Sequence, residues 1–293
     1  MDLSRDWRIE VAGENCLVLN EWHLLPGSVG QTPPRAVTPY PVLNVLQTYD
    51  VPPHLRGEKD LWYCARLYVR GSRPKAALVL ERSTFQRPFE IMVNGKPAGQ
   101  PKGPSRRYDA MNLEVAIGHL LTASPQGALN QIAVRVANNT ATVRGTKARP
   151  MMDALRLFGD FGVRFPYVGY ALAEISHPSG IAELERLRDW ADLGLPQYSG
   201  TVRYRKTVEI SPEEARRAIA LEFDEVHDLV RVSVNGRLLG TLAWPPYVLD
   251  LTGRLRPGKN EILLAVANSP INMIEGLAKK SGVLGNVRVT FSK

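Results

Sequence analysis

Two acidic residues on one predicted strand are the first candidates for chemistry. Glu222 and Asp224 lie two positions apart in an alternating segment, so their side chains share one face at about 6.5–7 Å. Acid–base cleavage of a glycosidic bond needs two carboxyl groups separated by about 5–9.5 Å. Ile219, Leu221 and Phe223 occupy the opposite face, and this pattern favours a solvent-exposed role for both acids.

Asp160 is the other acidic candidate, because it lies between Gly159 and Phe161 in an apolar segment. Two interpretations stay open: a proton donor between two folding units, or a residue that caps a turn or pairs with an arginine. The five histidines are scattered without a triad context. No Gly-rich phosphate loop occurs. We therefore assign no catalytic residue.

The two cysteines, Cys16 and Cys64, allow at most one disulfide. Cys64 lies in segment 61–69, which is typical of a sheet strand, and this favours a buried small hydrophobic residue over a disulfide partner or a nucleophile. No cluster of cysteine and histidine has the spacing of a zinc site. The sequence therefore predicts no metal ligand.

Two segments about 130 residues apart repeat one pattern, and they indicate which elements position these side chains. Residues 130–138 and 260–268 both begin with Asn, continue as an alternating strand and end in Val-Ala-Asn. A Val-Asn-Gly hairpin signal precedes each copy, at 93–95 and 234–236. A repeat of this length predicts a duplicated domain and not a solenoid. Because it recurs, we interpret the pattern as architecture.

Strand signals dominate both halves, and 24 Gly and 22 Pro among 293 residues supply the turns. The predicted fold is all-β: two tandem antiparallel β-sandwiches of jelly-roll type, residues 1–165 and 166–293, with very little helix. Ser211 and Glu214 have the spacing of a capping box, which predicts a short helix. Residues 153–170 are predicted to join the two halves. Residues 180–194 fit either a helix or a sheet strand.

The bulk composition limits the classes of partner. A hydrophobic fraction of 44% and a charged fraction of 23% are globular values. No apolar run approaches 18 residues, and the first seven residues lack the apolar core of a secretory signal. The net charge of +8 is spread along the chain without a nucleic-acid-binding motif. We predict neither a nucleic-acid nor a membrane partner, and we assign no compartment.

The second half resembles a known sandwich. Residues 189–204 are followed by Val-Asn-Gly at 234–236, Trp-Pro-Pro-Tyr at 244–247 and Gly-Lys-Asn-Glu-Ile at 258–262. This order is similar to the galactose-binding-like sugar-binding domain of the β-galactosidase/β-glucuronidase family. It is also similar to the C-terminal sandwiches of bacterial α-L-rhamnosidase-type enzymes, as are residues 13–20 and 157–163. In such enzymes the catalytic carboxylates lie on a separate (β/α)₈ barrel, and this sequence has no eightfold strand–helix alternation.

The resemblance implies carbohydrate binding at loops and strand ends. An aromatic ring covering about 60 Å² of a sugar face gains about 1.5 kcal/mol, and a few hydrogen bonds add about 1 kcal/mol each. The sum approaches the roughly 4 kcal/mol of a millimolar complex. The predicted binding residues are Trp190, Tyr198, Trp244, Tyr247 and Asn272. The alternative is that the rings pack, with the prolines at 245–246 blocking strand pairing at the sandwich edge.

Three functional hypotheses follow. The first is a non-catalytic accessory region of a glycoside hydrolase that binds carbohydrate weakly and is tethered, in cis or in trans, to a catalytic glycosidase domain. The second is a structural scaffold that docks a catalytic domain or subunit without binding sugar. The third is a glycosidase with an active site between the sandwiches, around Asp160 and Trp190. No cofactor is predicted; structural Ca²⁺ is implied only by the resemblance, without a dense Asp/Asn cluster to hold it.

Overall fold

The computed structural model describes residues 1–33, 40–46, 51–85, 87–138, 142–143, 146–147, 150–151, 153–165, 172–176 and 183–292. The chain divides into two compact units. We call Asn15–His177 the first sandwich, and Met1–Glu14 together with Pro178–Lys293 the second sandwich. Both consist of β-sheets, which confirms the predicted all-β class.

The strands are numbered along the chain. The first twelve are β1 (Arg5–Val11), β2 (Asn15–Leu19), β3 (Glu21–Pro26), β4 (Val42–Asn44), β5 (Asp60–Arg70), β6 (Ala76–Leu80), β7 (Phe89–Val93), β8 (Lys96–Pro97), β9 (Leu113–Ala116), β10 (Ala128–Ala137), β11 (Thr142–Val143) and β12 (Thr146–Lys147). The others are β13 (Leu155–Gly159), β14 (Gly162–Arg164), β15 (Leu172–Ser176), β16 (Glu183–Arg186), β17 (Thr201–Ile210), β18 (Ala218–His227), β19 (Leu229–Val234), β20 (Arg237–Leu242), β21 (Val248–Asp250), β22 (Gly258–Ala267) and β23 (Gly282–Phe291).

Helices are short. The α-helices are α1 (Pro212–Arg217) and α2 (Ile271–Glu275), and single 3₁₀ turns span Gly27–Val29, Pro53–Leu55, Gly118–Leu120 and Trp190–Leu193. Helix α1 begins at the predicted capping box, in which Ser211 and Glu214 bond reciprocally to each other's backbone N–H. Among the described residues, no helix has the length and apolar character needed to cross a membrane.

The two sandwiches share one strand order, as the repeated sequence pattern predicts. The first contains β3-β5-β10-β7-β8 in one sheet and β2-β13-β6-β9 in the other. The second contains β1-β17-β22-β19-β20, with β16 beyond β1, and β23-β18-β21. The repeated Asn…Val-Ala-Asn segments are β10 and β22, the central strands of equivalent sheets. Their position explains why both are rich in buried Val and Ile.

The boundary between the two units was expected between residues 165 and 166, whereas the first sandwich extends from Asn15 to His177. Strand β1 pairs with β16 and β17, so the first residues of the chain fold with its second half. The stretch 153–170, predicted as a junction, contains β13, which pairs with β2 and β6 inside the first sandwich; residues 166–170 lie outside the described residues. Of the two interpretations of 180–194, the described part forms strand β16 and a 3₁₀ turn.

The core of the second sandwich lies between its two sheets, where alternate residues from each sheet meet. Tyr204 and Leu264 come from one sheet, and Leu221 and Val287 from the other, all almost fully buried. Each such apolar side chain contributes about 1.5–3 kcal/mol on burial. Ile219 was predicted to share the buried face, and this was wrong: its side chain is 42% exposed. A register shift between Ala218 and Ala220 turns it outward.

A pair of asparagines braces the same hairpin in both sandwiches. Asn94 and Asn235 have φ of 52° and 51° and precede glycines at 77°, the pattern of a type I′ turn. The Nδ2 of each hairpin asparagine donates to the Oδ1 of the buried asparagine opposite, Asn130 or Asn260, at 2.8 Å. Each buried asparagine then donates twice to backbone carbonyls of its own loop. The repeated motif is therefore structural.

Candidate functional site

A cleft of about 310 Å³ lies at one end of the second sandwich. It forms where β18 turns into β19 and where α2 links β22 to β23. Seven polar or charged residues and one apolar residue line it: His227, Asp228, Ser269, Ile271, Asn272, Lys279, Lys280 and Ser281. The volume is at the lower end of the range for small-molecule sites.

The floor of the cleft is built on Asn272, a predicted site residue that is 2% exposed. Its Nδ2 donates to the Lys279 carbonyl at 3.0 Å and to Ser281 Oγ at 3.2 Å, and its Oδ1 accepts from the Lys279 N–H at 2.9 Å. Asn268 Nδ2 also donates to Ser281 Oγ, at 2.9 Å. The amide of Asn272 is thus fully used by the protein, so it positions the lining and has no free donor for a ligand.

Charged groups form the rim. Glu225 Oε1 lies 2.7 Å from His227 Nε2 and 3.6 Å from Lys280 Nζ. The hydrogen bond with His227, followed by the charge of Lys280, lowers the pKa of the Glu225 carboxyl group. Asp228 Oδ2 accepts from the backbone N–H of Ser269 at 2.6 Å. These bonds connect the β18–β19 turn to the chain entering α2.

Two of the predicted aromatic residues are part of the core. Trp190 is fully buried, and its Nε1 donates to the Tyr204 hydroxyl at 2.6 Å. Tyr198 is 3% exposed, lies against the Trp190 ring at 5.6 Å, and donates its hydroxyl to the Thr201 carbonyl. Both rings are enclosed by protein atoms, so they present no face on which a sugar could stack. Packing, the alternative weighed for them, describes both residues.

The other two aromatic residues lie on the loop between β20 and β21. Trp244 is 77% exposed, the largest exposed fraction among the large hydrophobic side chains that the structure describes. Tyr247 is half-buried, and its hydroxyl donates to the carbonyl of Val226, next to His227 of the cleft. The structure therefore places Tyr247 beside the strand that leads to the cleft, whereas the ring of Trp244 faces solvent.

The acidic candidates occupy exposed or paired positions. Asp160 is exposed at the turn between β13 and β14 of the first sandwich. Asp224 is exposed, and it accepts from the backbone and side-chain N–H groups of Asn286 and pairs with Arg288 at 2.8 Å. The Asn286 backbone bond is the main cause that lowers the pKa of Asp224. A glycosidase acid needs a raised pKa, so Asp224 is unsuited to that role.

One carboxyl pair in the first sandwich was not anticipated. Glu81 hydrogen-bonds to Asp153, and burial followed by the charge of Asp153 raises the pKa of Glu81. Arg156 is 1% exposed and donates to Asp153 at 3.1 Å and to the Tyr108 hydroxyl at 3.2 Å. Two carboxyl groups in direct hydrogen-bond contact are closer than the roughly 5 Å a glycosidase needs to fit its substrate between them. The cluster anchors the β13 strand.

Cys16 and Cys64 are both free and buried, and a buried small hydrophobic residue is the role that the sequence favours for Cys64. Burial raises the pKa of each thiol to about 12, so neither is a ready nucleophile. Across the part of the chain that the structure describes, no group of three or more His, Cys, Asp or Glu side chains is arranged to hold a metal ion.

Sequence reasoning found one residue of the cleft, Asn272, and missed the other seven. They come from the junction of β18 and β19 and from the connection between β22 and β23, and neither has a recognisable motif. A usable signal exists in the repeat: 269–281 follows the second Val-Ala-Asn strand and has no counterpart of matching sequence after the first. Segments in which duplicated domains differ are where a site is expected.

No family model matches the sequence. A curated protein of Formosa agariphila, described as a "Putative beta-glucuronidase", is 23% identical over 214 residues, which are 71% of this chain and 17% of that protein. The resemblance to glycoside hydrolases is thereby confirmed. The chain spans about a sixth of this relative.

Two solved structures also have partial similarity to this chain. A member of glycosyl hydrolase family 2 from Bacteroides cellulosilyticus is 13% identical with a TM-score of 0.37, over 87% of this chain and 32% of that one. A rhamnosidase from a Novosphingobium species is 21% identical with a TM-score of 0.32, over 79% of this chain and 23% of that one. This chain spans less than a third of either protein.

Proposed function

We propose that this chain is a non-catalytic accessory region of a glycoside hydrolase, and that its second sandwich binds carbohydrate weakly in the cleft above Asn272. The observation that carries the proposal is the cleft itself: a concave, polar surface on a braced floor. Similarity to about a sixth of a beta-glucuronidase-like protein supports the accessory role. The catalytic domain is proposed as the partner, in cis or in trans.

The acidic residues support a non-catalytic role. Asp160 and Asp224 are solvent-exposed and Asp224 has a lowered pKa. Glu81, whose pKa is raised, is in contact with Asp153 and so leaves no space for a sugar between the two acids. A carbohydrate in the cleft would therefore be held and not cleaved, and its binding would serve the catalytic domain by local concentration.

The cleft predicts a low affinity. Its lining contains no Trp, Tyr or Phe ring among the described residues, so binding depends on a few hydrogen bonds of about 1 kcal/mol each. This corresponds to a dissociation constant of roughly 1 mM or weaker. Tethering raises the effective concentration enough for such a site to contribute.

Affinity electrophoresis through gels that contain soluble plant or algal polysaccharides tests the proposal. Retardation by at least one polysaccharide is expected, and Asp228→Ala should abolish it by removing a rim carboxylate together with its bond to the Ser269 N–H, both of which lie outside the core. Lys259→Ala, an exposed change on β22 away from the cleft, is the matched control. Migration unaffected by every polysaccharide would reject carbohydrate binding.

Exposed apolar side chains favour a second candidate, the docking scaffold. On the second sandwich, Trp244, Leu238 and Val248 are 77%, 54% and 45% exposed. Solvent-exposed apolar groups of this size occur at protein interfaces. Trp244→Ser would weaken co-purification with a catalytic domain and leave gel retardation by polysaccharide unchanged. Loss of retardation in Trp244→Ser would instead make Trp244 a sugar-stacking residue, as the sequence predicts.

A further inference from the structure

We propose that Asn235, at the tip of the β19–β20 hairpin, is a site of spontaneous covalent modification, in which its side-chain amide is lost and an aspartyl or isoaspartyl residue forms. Its counterpart in the first sandwich, Asn94, stands in nearly the same local sequence, Val-Asn-Gly-Lys at 93–96 against Val-Asn-Gly-Arg at 234–237. We expect Asn94 to react more slowly. The inference does not depend on the proposed carbohydrate site, and it follows from the hydrogen bonds that hold the two side chains.

The reaction requires an asparagine, the following glycine and water. The backbone nitrogen of Gly236 attacks Cγ of Asn235, so that an N–Cγ bond forms, the Cγ–Nδ2 bond breaks, and ammonia leaves with the proton of the glycine N–H. Water then opens the cyclic imide: attack at Cγ gives aspartate, and attack at the backbone carbonyl carbon gives isoaspartate, whose main chain runs through Cβ and Cγ. Asparagine is a chemically labile residue, and glycine has no side chain to hinder its nitrogen.

The attacking nitrogen is equally available in the two hairpins. Gly95 and Gly236 are both exposed, and among the described residues no backbone carbonyl accepts from either glycine N–H. The asparagines differ, because Asn235 is exposed and Asn94 is half-buried. The rate is therefore set by how firmly each side-chain amide is held away from the glycine nitrogen.

Asn94 is held by three side-chain hydrogen bonds. Its Nδ2 donates to the Leu120 carbonyl at 3.0 Å and to Asn130 Oδ1 at 2.8 Å, and its Oδ1 accepts from the Gln131 N–H at 3.0 Å. The Leu120 carbonyl belongs to the 3₁₀ turn Gly118–Leu120. All three bonds must break before the amide can turn towards the glycine nitrogen.

Asn235 keeps only the two bonds that belong to the shared frame. Its Nδ2 donates to Asn260 Oδ1 at 2.8 Å, and its Oδ1 accepts from the Glu261 N–H at 3.0 Å. Within the described part of the chain, nothing takes the place of the Leu120 carbonyl, so one amide hydrogen of Asn235 remains for solvent. One bond fewer has to break, and the amide of Asn235 therefore reaches the glycine nitrogen more often.

The product weakens the brace of the second hairpin. A carboxylate only accepts hydrogen bonds, so aspartate at position 235 turns an oxygen towards Asn260 Oδ1, where Nδ2 donated before. Aspartate tolerates the positive φ of a type I′ turn as asparagine does. A loss of stability therefore reports the lost bond and not a strained backbone.

Peptide mapping by mass spectrometry tests the proposal on protein that is kept in mildly alkaline buffer and then digested at acidic pH. In the native protein, Asn235 should react about five-fold faster than Asn94, the factor expected for one additional hydrogen bond. In urea both side chains lose their bonds, and the two Val-Asn-Gly segments should react at similar rates. The urea sample is thus a matched control within the same chain.

Variants connect the rate and its consequence to the hairpin. Asn260→Ala removes the acceptor of the Asn235 amide, so it should speed the reaction at Asn235 and leave Asn94 unchanged. The exposed Lys259→Ala should alter neither rate. Asn235→Asp contains the product from the start, and its midpoint of urea unfolding should lie below that of the parent protein.

Three results would overturn the inference. The first is a native protein in which the two asparagines react equally fast, or in which Asn94 reacts faster. The second is a native Asn235 that stays intact after the urea-treated sample has reacted completely. The third is an Asn235→Asp protein that unfolds at the same urea concentration as the parent, because the modification would then leave the brace intact.

Discussion

The two sandwiches are built alike, yet the same framework residue is connected differently in each. Asn138 and Asn268 end equivalent central strands. In the first sandwich, among the residues that the structure describes, Asn138 Nδ2 donates to the backbone carbonyls of Leu55 and Glu58. In the second, Asn268 Nδ2 donates to the Tyr198 carbonyl and also to the Ser281 hydroxyl on the cleft floor.

This difference shows how a cleft is added to a duplicated frame. The asparagine keeps its structural bond to a loop in both copies, and in the second copy it gains a side-chain partner from a connection that is not duplicated. The repeated contacts therefore belong to the frame, and the contact that is not repeated belongs to the cleft.

The largest effect on stability is expected for Asn130 and Asn260, the buried asparagines at equivalent positions in the two sandwiches. Asn130→Ala and Asn260→Ala each remove at least three side-chain hydrogen bonds. At about 1 kcal/mol per bond, each should lower the free energy of unfolding of its own sandwich by about 3 kcal/mol. Urea unfolding measures both, with the exposed Lys259→Ala as control. If only one of the two variants lowered the free energy of unfolding, the two asparagines would not have equivalent structural roles.

The strand-end asparagines should separate stability from binding. Asn138→Ala and Asn268→Ala each remove two donated bonds, so each should cost about 2 kcal/mol of unfolding free energy. Only Asn268→Ala should weaken carbohydrate binding, because only its side chain holds Ser281. Thermal unfolding and NMR titration of both variants provide the measurement. Equal weakening by the two variants would contradict a cleft in the second sandwich alone.

Cysteine labelling reports on the first sandwich alone, since Cys16 and Cys64 both lie in it. Both thiols are buried with pKa raised to about 12. Ellman's reagent at pH 8 should therefore leave them unmodified in the native protein and react with both once the first sandwich opens. Labelling within seconds under native conditions would show that this sandwich opens readily.

The smallest effect is a pair of opposite pH dependences. Burial raises the pKa of Glu81, so the folded first sandwich retains a proton that the unfolded chain releases. Its stability falls as pH rises from about 4.5 through the folded pKa. The Asn286 bonds lower the pKa of Asp224, so its contribution is present above about 3.8 and is lost as pH falls through the folded pKa.

Two neutral isosteres check these signs. Glu81→Gln should remove the decline towards neutral pH from the first sandwich, and Asp224→Asn should remove part of the acid-side decline from the second. Urea unfolding between pH 3 and pH 7 compares each variant with the parent protein. A stability profile of Glu81→Gln that runs parallel to that of the parent would contradict the raised pKa of Glu81.

Local patterns predicted most of the frame. A type I′ turn requires positive φ at both central residues, and few residue pairs tolerate this as well as Asn-Gly. Asn-Gly at 94–95 and 235–236 therefore identified both hairpins. The alternation in β10 and β22 identified the central strands, and Ser211 with Glu214 identified the one capped α-helix start. Each of these signals lies within a few consecutive residues, so tertiary contacts have little scope to override it.

The residues of the candidate site were harder to predict from the sequence, because their positions depend on burial and on contacts between distant parts of the chain. Trp190 and Trp244 were both predicted from the sequence to bind a ligand, yet Trp190 is buried and Trp244 is 77% exposed. Ile219 follows the alternation of β18 until a register shift reverses it. His227 and Lys280 are 53 positions apart and meet only through Glu225. None of these outcomes is encoded in the spacing of neighbouring residues.

Strand β1 has a consequence for how the protein is made. Its residue Glu10 pairs with Arg203, which lies 193 positions further along the chain. At about 5–20 residues per second, the ribosome delivers the partner of β1 roughly 10–40 s later. The first sandwich is complete in sequence within that interval and can fold as it emerges, while β1 waits unpaired. Because the chain is synthesised from its N-terminus, the second sandwich can complete its sheet only after the first sandwich has emerged. The rate of translation sets the length of this delay.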